Sequence, residues 1–309
     1  MTAAEAVLDR VVGAPPDALE RPPQGNHKRT VVARYRDRPS LVVQTANDAA
    51  ALRTEAELLR AVADRTDVPV PELVAAGELD GRGYLVTEHV AGADLHERFV
   101  ALPTDDRVRL ARRFGSILGT LHDAFPFDGA GAVSLDDGSL VAAGRTSAAV
   151  AREYAADALA ALPPAFDDLR PAVAAAPDPP TGNRRPRLFP WDLRPGNAVV
   201  ADGRLAAVLD WGGPRAADPA LSVAKTEHVV ARWYGVDSDR LAPAFREGYR
   251  SVRPLPDVTA AHRLAAVAAA AVDSDGVVTR PGYPERTGTD AVTVHRAWLS
   301  ERLTAAESE

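Results

Sequence analysis

Apolar residues recur along the chain in two rhythms. Up to about residue 90 the every-second-residue rhythm of strands prevails, and beyond it the three-to-four spacing of amphipathic helices. A short helix is predicted over residues 4–12, followed by the proline-rich break GAPPDALERPP. Thr30 to Tyr35 and Leu41 to Thr45 read as strands around the polar turn RDRPS. From Asn47 to about Asp64, Leu52, Leu59 and Val62 share one helical face with Glu55, and Asn47 or Asp48 suits the N-cap. Glu57 falls roughly 200° round that helix from Glu55 and is expected to face solvent. Two further strands, Leu73 to Glu78 and Tyr84 to His89, flank a DGRG turn.

After Gly92 helices take over: Thr104 to Ala124, Ser147 to Leu162, and then stretches near 219–233, 239–250, 258–272 and 289–306. The segment 163–187 is rich in proline and reads as a loop-rich connection. Short strands are expected at Leu188–Phe189, Ala198–Ala201 and Leu205–Leu209. The pattern thus places a small strand-rich lobe before a larger helical one.

Composition narrows the class. The 309 residues carry a formal charge of −7, with no cysteine, so disulfides, thiolate zinc sites and cysteine nucleophiles are excluded. Mild acidity without a basic block argues against a nucleic-acid partner. The stretch LAAVAAAAV is too short to span a bilayer, and MTAAEAVLDRVV lacks the basic start of a signal peptide, so no membrane partner and a cytoplasmic location are expected. Of 36 basic residues only Lys28 and Lys225 are lysines, a bias that a GC-rich coding sequence accounts for.

The chemistry is concentrated in LFPWDLRPGNAVVADGRLAAVLDWGGPRAADPA, residues 188–220. Two strands around Asp202-Gly203 form a hairpin signal, which folds Asn197 and Asp210 to the same end. Asp192 stands five residues before Asn197 in a loop bent by Pro195 and Gly196. Taken singly, Asp192 is a turn cap and Asn197 a loop residue; together with Asp210 they gather two carboxylates and an amide oxygen, donors that suit Mg²⁺ beside phosphate oxygens. Asp210 follows the apolar run AAVL, where a buried carboxylate needs a partner. Asp218 before Pro219 reads as a helix N-cap.

The ordered motifs DLRPGN, VLDWG and DPA resemble those of the aminoglycoside phosphotransferase and choline-kinase-like superfamily, small-molecule relatives of the protein kinases, over most of the chain. The resemblance implies an α+β, protein-kinase-like two-lobed fold, with a small antiparallel-sheet N-lobe over residues 1–89 and a larger, mainly helical C-lobe over 90–309. It implies an ATP- and Mg²⁺-dependent transfer of the γ-phosphate to a hydroxyl of a small molecule. Asp192 would be the catalytic base, and Asn197 and Asp210 would hold the metal. Arg194 stands where the related protein kinases often carry a lysine on the transferring phosphoryl group; a solvated loop arginine is the rival reading. Gly25 and Asn26 match a phosphate-covering loop, and backbone groups near Glu88 and Val90 match the segment that holds adenine.

Three positions depart from the family pattern. The strand lysine that pairs with the helix glutamate, here Glu55, is replaced by Gln44; Arg34, Arg36 or Lys28 is left to supply the cation. The usual His two residues before the base is Pro190, and the bulky Trp191 stands where small residues are common. His122 reads as a packing residue. Gln44 and Pro190 favour the alternative of a catalytically impaired nucleotide-binding protein of the same fold; Asp192, Asn197 and Asp210 argue against it. A protein kinase is disfavoured by the short path from Asp210 to Asp218-Pro219. The acceptor stays open: Asp273, Asp275, Glu285 and Asp290 are interspersed with Arg280, Arg286 and Arg296 and do not select a polycation.

Overall fold

The computed structural model describes residues 2–22, 28–182 and 184–306. Its first part comprises α1 (Ala3–Val12), β1 (Ala18–Glu20), β2 (Arg29–Arg34), β3 (Leu41–Ala46), α2 (Ala49–Arg65), β4 (Leu73–Leu79) and β5 (Arg82–Glu88). The five strands form one antiparallel sheet in the order β1-β2-β3-β5-β4. Strand alternation sends Val43 and Val86 to the face that packs on Val7 and Leu8 of α1, and Leu85 to the other face, against Leu52 and Ala56 of α2. Asp48 caps α2, its side chain accepting from Ala51 N–H at 2.9 Å. Leu52, Glu55, Leu59 and Val62 are all buried on the predicted face, while Glu57 turns outward to pair with Arg60.

The chain continues through β6 (Ala93–Asp94), α3 (Leu95–Arg98), α4 (Thr104–Ala124), β7 (Gly131–Asp136), β8 (Ser139–Ala142), α5 (Ser147–Ala161) and α6 (Arg170–Ala175). Then come β9 (Arg187–Phe189), β10 (Ala198–Ala201), β11 (Arg204–Val208), β12 (Arg215–Ala217), α7 (Pro219–Ala231), α8 (Ser238–Arg250), α9 (Ala260–Ala270) and α10 (Gly288–Ala306). The main core lies here: Phe114, Leu118 and Leu121 of α4 pack with Phe245 and Tyr249 of α8. Their backbones approach so closely that a Cβ at Gly115 would collide with the Phe245 carbonyl oxygen, and one at Gly248 with that of Arg112. His122 is fully enclosed in this core, bonded to Tyr249 Oη (2.7 Å) and Ser222 Oγ (3.1 Å), a packing role.

Seven elements are absent from the sequence-based expectation: β1, β6, α3, β7, β8, β12 and α6, the last lying inside the segment read as loop. β12 pairs with β7 and β9, and a second small sheet joins β11, β10 and β6. Helix α7 is buried at every position, and Asp218 caps it as expected, accepting from Ala220 N–H at 2.8 Å. No helix among the described residues is long and apolar enough to cross a membrane.

Candidate active site

The hairpin of β10 and β11 turns at Asp202-Gly203, where φ is 50° and 69°, the left-handed pair of a two-residue connection. Its open end is closed by the Ala198–Val208 pairing and by Leu209 N–H donating to the Asn197 carbonyl oxygen at 2.7 Å. Asn197 and Asp210 therefore leave the hairpin next to each other. Asn197 Nδ2 donates back to Asp192, to its backbone oxygen at 3.0 Å and to Oδ2 at 2.9 Å. This brace ties the Asp192 loop to the hairpin, at a place where Pro190 can donate no bond of its own. With its nitrogen so engaged, the amide oxygen of Asn197 is left as an acceptor. Arg194 Nε lies 3.0 Å from Asp192 Oδ2, so this arginine is ion-paired rather than merely solvated.

Asp210 corrects one expectation. It is not sealed at the end of a buried strand: its side chain is 48 % exposed, and its φ is 56°, a region that residues other than glycine seldom adopt. Its charge is met by Lys28, whose Nζ donates to Asp210 Oδ1 at 2.8 Å and to Glu55 Oε1 and Oε2 at 2.8 and 3.0 Å. Lys28 precedes β2 and reaches the site from there. The other two candidate cations point elsewhere: Arg34 bonds Glu20 at 2.7 Å, and Arg36 pairs with Asp17 at 3.4 Å. Gln44 sits on β3 opposite Thr30, on the α2 side of the sheet with Ala46, but Glu55 is held by Lys28 instead.

Burial works against the Lys28 charge, but the carboxylates of Glu55 and Asp210 outweigh it and hold its pKa above the usual lysine value. For Glu55, burial pushes the carboxyl up and Lys28 draws it back. The pair is thus mutually dependent. Gly212 belongs to the same cluster: a Cβ there would stand 3.2 Å from Glu55 Oε2 and 3.4 Å from both Asp210 Oδ1 and Lys28 Nζ.

Gly25 and Asn26 lie outside the described residues. At the end of β5, Glu88 N–H is bonded to the Glu72 carbonyl at 2.9 Å and His89 N–H to that of Ser40 at 2.8 Å. Neither of these two bonds uses the Glu88 carbonyl or the Val90 N–H.

Sequence reasoning passed over Lys225 and Arg215. Both lie over the Trp191 ring, with Lys225 Nζ at 3.8 Å and Arg215 Cζ at 4.4 Å from its centroid. Trp191 also packs edge-on against Tyr154 and at a tilt against Phe189, which fixes the residue immediately before Asp192. Two cavities of about 860 and 380 Å³ lie elsewhere, the larger lined by Arg246, Arg250 and Arg253, and neither touches these residues.

A five-stranded antiparallel sheet with a lysine–glutamate pair, followed by a helical part presenting an Asp–Asn–hairpin–Asp unit, defines a protein-kinase-like phosphotransferase fold. The profile of the phosphotransferase enzyme family matches residues 18–264, and the chain belongs to that family. Solved structures agree on the fold. A thermostable mutant of aminoglycoside phosphotransferase APH(4)-Ia, in ternary complex with AMP-PNP and hygromycin B, is 17 % identical over 99 % of this chain and 98 % of its own, with a TM-score of 0.63. A candidate aminoglycoside phosphotransferase from Ralstonia eutropha is 17 % identical over 98 % of this chain and 97 % of its own, with a TM-score of 0.66. A candidate fructosamine-3-kinase from Thermobifida fusca is 20 % identical over 99 % of each chain, with a TM-score of 0.58. No curated protein matches the sequence.

Proposed function

We propose that the protein is an ATP- and Mg²⁺-dependent kinase that transfers the γ-phosphoryl group to a hydroxyl of a small molecule. The observation that carries this reading is the continuous polar chain from Arg194 through Asp192 and Asn197 to the hairpin, and from Asp210 through Lys28 to Glu55. Asp192 accepts the proton of the acceptor hydroxyl as its oxygen bonds to the γ-phosphorus. The bond to the bridging β–γ oxygen breaks, and ADP leaves. Lys28, anchored by Glu55, releases Asp210 and turns to the nucleotide phosphates; Arg194 is within reach of the transferring group. The Asn197 amide oxygen and the Asp210 carboxylate fit a hard, oxygen-liganded cation that also takes phosphate oxygens and water, and such a cation would neutralise phosphate charge. Adenine would bond the Glu88 carbonyl and the Val90 N–H. The cytoplasmic location remains part of this proposal.

Gln44 and Pro190 were the grounds for a catalytically impaired relative. Lys28 speaks against the first, because it brings a cation to Glu55 from the entry of the neighbouring strand, and the Asn197 bonds to Asp192 speak against the second. The proposal is tested by calorimetric titration with a non-hydrolysable ATP analogue with and without Mg²⁺. Binding that strengthens with Mg²⁺, and Mg²⁺-dependent ATP turnover with a hydroxylated acceptor, are expected; binding indifferent to Mg²⁺ would refute it.

Gly212 gives a sharper check. Gly212→Ala places a methyl group against all three members of the Lys28 cluster, so it is expected to weaken Mg²⁺–ATP binding about ten-fold or more through misplacement of the lysine. Circular dichroism and melting temperature should hardly change, since Gly212 is not enclosed in a core. Undiminished affinity in Gly212→Ala would show that this cluster does not touch the nucleotide.

A further inference from the structure

Helix α7 is buried throughout, yet its two charged residues fare differently. Glu227 is matched by Arg246, at 2.5 and 2.7 Å, and by Arg263 at 3.0 Å. Lys225 is only 6 % exposed and forms no hydrogen bond or ion pair with any described residue; its ammonium rests on the Trp191 ring. Arg215, on β12, shares that ring and likewise has no carboxylate partner among the described residues. Arg194 is a third cation nearby, and the one carboxylate that acts on Lys225 is Asp192. Asp192 Oδ2 is already engaged by Asn197 and Arg194. Three cations, Lys225, Arg215 and Arg194, thus gather at the base, and the carboxylate that acts on Lys225 is the base's own.

Such an arrangement is costly in the free protein. A desolvated cation–π contact offsets only part of what is lost on burying an ammonium ion. Burial draws the Lys225 pKa down to about 8, so the group still carries its proton at neutral pH. The cost is offset when an anion arrives. Composition points the same way: in a chain with 34 arginines, the two lysines are Lys28, in the cluster with Glu55 and Asp210, and Lys225, beside the base.

We propose that Lys225 and Arg215, ordered by Trp191, form the subsite for a negatively charged group, a carboxylate or a phosphate monoester, carried by the hydroxylated acceptor. This rests on the reading of Asp192 as the base, because the subsite is defined by its nearness to that residue. A polycationic acceptor is disfavoured, as it would meet Lys225, Arg215 and Arg194 at the point of transfer. Two of the carboxylates near the C-terminus are engaged locally: Asp273 accepts from the Asp275 and Val277 amides, and Glu285 pairs with Arg280 and His96.

The test is calorimetric titration of the ADP- and Mg²⁺-loaded protein with four probes: D-glycerate, glycerol 3-phosphate, glycerol and spermidine. At least one anionic probe should bind about ten-fold more tightly than glycerol, as charge-assisted hydrogen bonds require. The carboxylate and phosphate arms then tell which group is read. Lys225→Met and Arg215→Gln should each abolish that preference while ADP affinity stays within about two-fold. Arg215 is partly exposed, so its variant decides the matter should Lys225→Met not fold. The inference is overturned if neither anion outperforms glycerol, if spermidine binds as tightly as the better anion, or if the preference survives both substitutions. Failure of ADP to bind would instead count against the kinase reading, and the same titrations on nucleotide-free wild type and variants would still decide the subsite.

Discussion

Asp192→Asn is expected to lower phosphoryl transfer by about 10²–10⁴-fold, the range for loss of a general base, with nucleotide affinity nearly unchanged. The substitution is close to isosteric, and the new amide oxygen can still accept the 2.9 Å bond from Asn197 Nδ2, so the loop keeps its brace. What disappears is the ability to take a proton and the charge that pairs with Arg194 at 3.0 Å. Some turnover should persist, because much of phosphoryl-transfer catalysis comes from positioning and charge neutralisation that this residue does not supply. Initial rates at saturating ATP, together with the affinity for an ATP analogue, check both halves. Wild-type turnover in Asp192→Asn would remove this residue from the chemistry. Loss of turnover together with loss of nucleotide affinity would show that it holds the nucleotide instead.

The extent to which this arrangement is legible in the sequence depends on the range of each contact. The hairpin was legible because its determinants are local: alternating apolar residues around Asp-Gly, a pair whose positive φ values suit the tight turn. The same signal stands at Asp137-Gly138, with φ of 45° and 74°, between GAVSLD and SLVA, so β7 and β8 were equally readable from local residues and were passed over. β12 is three residues long, and its pairing with β9 is a long-range event that no local pattern announces. The helix face bearing Glu55 was readable from its 3.6-residue period, whereas the identity of its partner was not. Lys28 lies 27 residues away in sequence from Glu55 and 182 from Asp210, and only the folded sheet brings them together. Lys225 escaped for a related reason. An apolar helix with one lysine looks like an exposed edge until tertiary packing encloses it, and the aromatic ring beneath it comes from a different loop.

Lys28→Met is the second change with a large expected effect, and it separates catalysis from folding. Removing a pre-positioned cation from a phosphate site costs about 10²–10³-fold in rate, and here the same side chain also neutralises Glu55 and Asp210. Asp210 is half exposed and can be solvated when the lysine is gone. Glu55 is 4 % exposed and cannot, so its response is to keep a proton, in the direction burial already pushes it. The sign follows from linkage. A carboxyl whose pKa is higher folded than unfolded favours the folded state below its unfolded pKa, and that contribution is lost as pH rises through the folded value. The destabilisation of Lys28→Met relative to wild type should therefore be small near pH 4 and grow towards neutrality. It should stay below the roughly 3–5 kcal/mol of a broken fully buried pair, because proton uptake and solvation of Asp210 relieve part of it. Urea unfolding at several pH values measures this directly; a pH-independent difference would mean that Glu55 does not rely on Lys28. Adding Gln44→Lys to Lys28→Met returns an ammonium group to the α2 side of β3, where Gln44 shares the sheet face with Ala46. If the requirement is for a cation on Glu55 rather than for its point of attachment, the double variant regains turnover and loses the added pH dependence, whereas Lys28→Met alone shows neither. Recovery of stability without recovery of rate would show that the lysine must approach from β2 to reach the phosphates.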